Sequence, residues 1–196
     1  MHDPFAIVDN DVTIGSEYVN MADINVSVPV AAADARHRAE PVWDLIELLF
    51  FAYRDFVGDA DEVLAKFGFG RAHHRVLHFV NRNPGMKVAE LLGILRITKQ
   101  SLGRVLKQLI DEGYVVQKEG ATDRRQRLLF VTPKGEALAL KLAGLQSARI
   151  GRALAGLGYG DHDMARRFLT AMLDPGQREG VLRLIDGADP ARRRAL

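Results

Sequence analysis

Six polar side chains between residues 99 and 108 recur at helical spacing, opposite a stripe of apolar residues. They are Lys99, Gln100, Ser101, Arg104, Lys107 and Gln108. Arginine and lysine can bind guanine edges or phosphates, glutamine can pair with adenine, and serine can hydrogen-bond either base. Thr98 precedes them as an N-cap and belongs to the same predicted contact set. The pattern predicts a helix over residues 99–112 whose polar face contacts the major groove of DNA.

Two neighbouring elements are expected to position this helix. A shorter apolar-striped helix is predicted over residues 87–95, and only Arg96, Ile97 and Thr98 separate the two helices. Two short helices joined by such a turn, with a polar and basic second helix, are typical of a helix-turn-helix. After Gly113, the apolar runs 114–116 and 127–131 predict the two strands of a hairpin.

Three arginines lie in or directly after the tip of that hairpin, residues 119–126. Arg124, Arg125 and Arg127 are too polar to build a core, but arginine suits a narrow, electronegative minor groove. Residues 96–127 hold eight Lys/Arg and four Asp/Glu, so the whole segment is basic. The alternative for any single arginine is solvated loop charge. The combination of helix and basic hairpin favours a winged helix-turn-helix.

Several motifs along this stretch resemble the MarR family of bacterial transcription regulators. They are Val88-Ala89-Glu90-Leu91, Ile97-Thr98-Lys99-Gln100-Ser101, Leu109-Ile110-Asp111-Glu112-Gly113-Tyr114-Val115, Thr122-Asp123-Arg124-Arg125 and Val131-Thr132-Pro133-Lys134-Gly135. The resemblance implies a homodimer that binds double-stranded DNA, with the recognition helix in the major groove and a wing arginine in the minor groove. It implies that Asp123 braces the wing by pairing with a neighbouring arginine, and that Arg125 enters the groove.

The chain departs from the family pattern in two places. Arg96 stands where the family usually has a turn glycine. A left-handed backbone there would cost an arginine about 1 kcal/mol, so this turn is a candidate for reshaping. The chain also has no cysteine, which excludes the cysteine-based redox sensing of one branch of the family.

The predicted fold is mainly α with a small β-hairpin wing, flanked by N- and C-terminal dimerisation helices. Residues 1–35 show no sustained periodicity and are expected to be a flexible tail. Residues 36–70 and 133–190 are expected to supply the dimerisation helices. Residues 71–132, called the winged-helix region from here on, are expected to bind DNA.

Composition limits the remaining possibilities. Residues 1–66 carry thirteen Asp/Glu and four Lys/Arg, whereas residues 67–196 carry twelve and 23, so the basic charge concentrates where DNA binding is predicted. No apolar run approaches the roughly 18 residues of a membrane-spanning helix, and residues 1–15 lack the pattern of a secretory signal. We expect a cytoplasmic protein without cofactors. No phosphate-binding glycine loop, nucleophile elbow or metal motif predicts an enzyme.

A histidine cluster on the helix predicted over residues 71–82 leaves alternatives open. His74 and His78 are four residues apart, which could serve a shared metal, but no third ligand is evident and we predict none. The resemblance implies a pocket for a small-molecule effector, frequently phenolic or anionic. It would involve Trp43, Phe50, Tyr53, His74 and His78. A metal- or pH-responsive regulator that uses His73, His74 and His78 is the alternative function.

Overall fold

The computed structural model describes residues 41–120, 123, 125–156, 158 and 161–188. Its helices are α1 Trp43–Ala65, α2 Arg71–Arg82, α3 Val88–Leu95, α4 Lys99–Asp111, α5 Pro133–Ala155, α6 Asp161–Ala171 and α7 Pro175–Gly187. Its strands are β1 Met86–Lys87, β2 Val115–Glu119 and β3 Arg127–Val131. The predicted mainly helical fold with a small wing is confirmed. The predicted tail over residues 1–35 and the wing residue Arg124 lie outside the described residues.

Helix α1 divides into an exposed half and a packed half. It runs without interruption through Gly58. Its second half buries Val57, Ala60 and Leu64, whereas the apolar residues of its first half are exposed. The described residues contain no helix with the length and apolar character needed to span a membrane.

One hydrophobic core joins the end of α1, the winged-helix region and the first half of α5. Its fully buried large side chains come from seven elements: Leu64, Val76, Leu77, Val80, Leu91, Leu102, Leu109, Val115, Leu129 and Leu142. Because these residues are separated by up to 78 positions in the chain, the helix-turn-helix is held by tertiary packing rather than by helix propensity alone.

The wing is the hairpin β2–β3, and a third strand extends it. The sheet has the order β1-β3-β2, with antiparallel pairing that places Met86 opposite Leu129 and Glu119 opposite Arg127. Strand β1 was not predicted, because two residues are too few to show an alternating pattern. Its pairing with Leu128 and Leu129 connects the start of α3 to the middle of β3.

The junction of α4, the wing and α5 explains the Thr-x-Lys-Gly motif. Thr132 caps α5 by accepting the N–H of Gly135 at 3.1 Å, and its hydroxyl donates to the carbonyl of Gly113 at 2.7 Å. Lys134 donates to the carbonyl of Glu112 at 2.9 Å and lies 4.0 Å from the ring centroid of Tyr114. A Cβ on Gly135 would lie 2.0 Å from the carbonyl oxygen of Tyr114, so only glycine fits. The motif therefore fastens the end of α4 to α5.

Candidate nucleic-acid interface

The turn between α3 and α4 keeps the left-handed geometry despite its arginine. Arg96 has φ 49° and ψ 46°, and its N–H donates to the carbonyl of Leu92 at 3.0 Å. It is the one residue other than glycine with positive φ in the described part of the chain. The turn is therefore not reshaped. The core that packs around both helices overrides a local cost of about 1 kcal/mol.

Helix α4 begins with the predicted cap and presents most of the predicted contact residues. Thr98 accepts the N–H of Ser101 at 3.1 Å, and its hydroxyl also donates to the Ser101 hydroxyl at 2.9 Å. Lys99, Gln100 and Arg104 are exposed on the face opposite the core. Lys107 is exposed as well, but it pairs with Asp111 one turn later. The first two turns thus carry the cations that are available to a partner.

Gln108 lies differently from the other predicted contact residues. Its side chain is half-buried, and its Oε1 lies 2.9 Å from Nε2 of His73 on α2. Its Nε2 donates to the carboxylate of Glu112 at 3.0 Å. The side chain of Gln108 is therefore held between two helices of its own chain.

The wing tip is braced by hydrogen bonds to its backbone. The carboxylate of Asp123 accepts the N–H of Arg125 at 2.9 Å, and the carbonyl of Asp123 accepts the N–H of Gln126 at 3.0 Å. Gly120 closes the loop by donating to the carbonyl of Gln126 at 3.1 Å. Asp123 thus braces the wing through the main chain of Arg125, while any pairing with Arg124 lies outside the described residues.

The wing arginines that the structure describes are both exposed but differ in their partners. Arg127 lies 3.4 Å from the carboxylate of Glu119 across the hairpin. Arg125 lines the groove between α4 and the wing, and its side chain makes no ion pair with the described residues. Of the two, Arg125 has the guanidinium available for a nucleic-acid contact.

A groove of about 880 Å³ runs between α3, α4 and the wing. It brings together four predicted contact residues, Lys99, Lys107, Arg125 and Arg127. Lys87, Gln117 and Gln126 also line it and were missed by the sequence analysis. Lys87 directly precedes α3, a position at which a basic residue can approach a phosphate near the positive end of the helix. The groove combines basic rims with an apolar floor.

A second cavity, of about 510 Å³, lies between α1, α2 and α5. Tyr53, His74 and His78, all predicted for the effector pocket, line it. Trp43 and Phe50 do not, since both lie on the exposed first half of α1. The lining residues that were missed are Phe56, Val57, Arg71, Arg75, Phe79 and Gln146.

The charges around this cavity favour an anion. Burial, and then the charge of His78, hold the pKa of His74 below its usual value, while burial and Arg82 do the same for the pKa of His78. Both imidazoles are therefore neutral near pH 7. Arg71 pairs with Asp61 at 2.8 Å, whereas Arg75 makes no ion pair with the described residues. The described residues contain no group of three or more side chains placed to hold a metal ion.

Comparison with known proteins identifies the family. A sequence model described as "MarR family" matches residues 67–126. The HTH-type transcriptional regulator PetP of Rhodobacter capsulatus is 44% identical over 141 residues, which cover 72% of this chain and 85% of PetP. The chain belongs to the MarR family. This MarR-family protein is a DNA-binding transcriptional regulator.

Solved structures share the fold of this MarR-family protein. Streptococcus pneumoniae FabT, crystallised in complex with DNA, superposes with a TM-score of 0.61 at 16% identity, covering 67% of this chain and 94% of FabT. A SlyA-like transcription regulator from Listeria monocytogenes gives a TM-score of 0.57 at 19% identity, covering 76% and 95%. At these identities the similarity establishes the winged-helix fold alone.

Proposed function

We propose that this MarR-family protein binds a pseudo-palindromic operator as a homodimer, with α4 in the major groove and the wing in the minor groove. The observation that carries the proposal is the groove lined by Lys99, Lys107, Arg125 and Arg127, in which Lys99 and Arg125 make no ion pair with the described residues. Arg104 extends this basic surface on the exposed face of α4. FabT, which has the same fold, was crystallised in complex with DNA, and this supports DNA as the partner of this fold.

The homodimer is supported by apolar residues that the single chain leaves exposed. On α1, Trp43 is 63% exposed and Phe50 is 68% exposed, and on α6 Phe168 is 52% exposed. Exposed apolar patches of this kind mark surfaces that a partner covers. A two-fold dimer presents two copies of α4, and it therefore binds two related half-sites.

We propose that an aromatic carboxylate acts as effector in the cavity between α1, α2 and α5. Tyr53, Phe56 and Phe79 provide aromatic walls, and Arg75 provides a positive charge without an ion-pair partner in the described chain. The neutral imidazoles of His74 and His78 can each donate one hydrogen bond. A metal effector is less favoured, because the described residues offer no suitable cluster.

Operator binding by two variants tests the proposal. We expect Arg125→Ala and Arg104→Ala each to weaken binding by roughly tenfold, because each removes a charge-assisted contact to DNA. The measurement is fluorescence anisotropy with a duplex that the wild-type protein selects from a random-sequence pool. The control is Arg183→Ala, which removes an exposed arginine of α7 that pairs with Glu179. Wild-type affinity in both test variants would reject the proposed interface.

The same assay tests the effector through added benzoate. We expect benzoate to weaken DNA binding by the wild-type protein and to have less effect on Arg75→Ala, which lacks the charge at the cavity. Benzamide, which has a similar shape and no charge, is the matched control. Equal responses to benzoate and benzamide would contradict the anionic chemistry proposed for the cavity.

A further inference from the structure

Gln108 on α4 and His73 on α2 form a contact between residues 35 positions apart in the chain. Both side chains are half-buried, and His73 Nε2 lies 2.9 Å from Gln108 Oε1. The bond belongs to a longer series. The N–H of Gly70 donates to His73 Nδ1 at 3.1 Å, and Gln108 Nε2 donates to Glu112 at 3.0 Å.

The groups at the two ends of this series determine which atom donates and which accepts in each hydrogen bond. A backbone N–H can only donate, so Nδ1 of His73 must be the unprotonated nitrogen and Nε2 must carry the hydrogen. A carboxylate can only accept, so the amide of Gln108 must turn its NH₂ group to Glu112 and its oxygen to His73. The donor and acceptor roles agree at each bond, which makes the series fully satisfied.

The imidazole of His73 is also held on a rigid support. Its ring stacks on Phe69 with centroids 4.8 Å apart and planes 8° from parallel. Phe69 is buried and contacts Tyr114 edge-on at 5.1 Å, and Tyr114 in turn carries the ammonium of Lys134 over its ring. These contacts hold the imidazole of His73 in place independently of Gln108. The hydrogen bond to Gln108 can therefore define where α4 lies relative to α2.

We infer that His73 and Gln108 are positioning residues that set the orientation of α4, and that Gln108 does not contact bases. The inference rests on the proposed role of α4 as the recognition helix. In helix-turn-helix proteins the N-terminal residues of the recognition helix contact base edges, whereas Gln108 lies in its last turn. Its amide oxygen and one of its N–H groups are already bonded within the chain.

The position of α2 gives the contact a regulatory consequence. Arg71, His74, Arg75 and His78 of α2 line the cavity proposed for the effector, while His73 faces α4. A displacement of α2 by a bound ligand would be transmitted to α4 through the bond between His73 and Gln108. The positioning role itself is what the experiment tests.

Two substitutions of His73 separate its two hydrogen bonds. In His73→Gln the side-chain nitrogen can occupy the place of Nε2 and keep the donor to Gln108. In His73→Asn the side-chain oxygen can occupy the place of Nδ1 and keep the acceptor for Gly70, but nothing reaches Gln108. The pair is matched in chemistry, because both replace imidazole by a carboxamide. Gln108→Leu removes the bond from the other side.

The full-length protein and the wild-type-selected duplex provide the assay. We expect His73→Asn and Gln108→Leu each to weaken binding by roughly fivefold to tenfold, since each removes the partly buried hydrogen bond between the two side chains. His73→Gln should stay within about twofold of wild type. The double variant His73→Asn/Gln108→Leu should bind no more weakly than either single variant, because both remove the same bond. Relative affinities for duplexes with single base changes should stay as in the wild-type protein.

Other results would overturn the inference. A changed base preference in Gln108→Leu would make it a base contact, and additive losses in the double variant would make the two residues independent. An NMR spectrum of the ring nitrogens with the hydrogen on Nδ1 of His73 would contradict the bonding series. Failure of the wild-type protein to enrich any duplex would instead reject the proposed operator binding, and the inference with it.

Discussion

The winged-helix region and the helical arms, defined as residues 43–56 and helices α6 and α7, use their apolar residues in opposite ways. In the winged-helix region Leu77, Leu91, Leu109 and Leu129 are completely buried. The arms carry apolar side chains of the same kinds at helical spacing, yet most of these are exposed. They are Trp43, Leu45, Ile46, Leu48, Leu49, Phe50, Phe51, Tyr53, Met164, Phe168, Leu169 and Ile185.

This difference indicates which part of the protein forms a closed hydrophobic core within a single chain. The winged-helix region closes its core with the end of α1 and the first half of α5, all within one chain. The arms bury too little apolar surface to be stable by their own packing, and this supports the proposed homodimer.

Leucine truncation in the two regions gives the largest contrast. We expect Leu91→Ala to lower the free energy of unfolding by about 2–5 kcal/mol at every protein concentration, because it leaves a cavity in a closed core. Leu48→Ala should spare the folded chain but raise the dimer dissociation constant roughly tenfold. Urea unfolding and sedimentation at several concentrations measure both quantities. If both variants lost the same free energy of unfolding at every protein concentration, the proposed contrast between the winged-helix region and the arms would be contradicted.

An intermediate effect on stability is expected from His74 and His78 of α2, which line the cavity between α1, α2 and α5. Burial keeps the pKa of both imidazoles below the value of 6.5 expected in the unfolded chain. The unfolded chain therefore binds more protons below that pH, so their contribution to stability is complete above 6.5 and declines as the pH falls.

Urea midpoints measured between about pH 8 and pH 5 test this dependence. The double variant His74→Gln/His78→Gln should show a weaker decline toward low pH than the wild-type protein. His162→Gln, which alters an exposed histidine of α6, is the matched control. An unchanged pH dependence in the double variant would show that other groups cause the decline.

The smallest effect is expected from Arg96 in the turn of the winged-helix region. Arg96→Gly should raise the free energy of unfolding by a few tenths to about 1 kcal/mol, because glycine adopts the left-handed backbone without steric cost. Arg96→Ala is the control, since alanine loses the charge but keeps the strain. A gain of stability in the alanine variant equal to that in the glycine variant would assign the effect to charge.

Local patterns in the sequence were sufficient to predict most of the elements. The periodicity of residues 71–82 and the apolar run 127–131 gave α2 and β3 with the observed ends. Thr98 was predicted as an N-cap, and it accepts the backbone N–H of Ser101. These features depend on neighbours within four residues, which sequence patterns report directly.

Contacts between distant residues could not be predicted in this way. Strand β1 exists because Met86 pairs with Leu129, and Asp59 pairs with Arg149 of α5 at 2.9 Å although 90 positions separate them. Gln108 illustrates the same limit. Its place on the polar face suggested a base contact, while its partner His73 lies on another helix.

The family, the helix-turn-helix and the basic wing depend on residue type and short spacing, so the sequence alone was sufficient to predict them. Which polar side chains of α4 are available to a partner depends instead on contacts between helices, such as the bond between Gln108 and His73. The tertiary structure also decided that Arg96 retains a left-handed turn, because buried contacts among α2, α3 and α4 outweigh a local cost of about 1 kcal/mol. Only the tertiary structure showed which apolar residues of the arms remain outside the core.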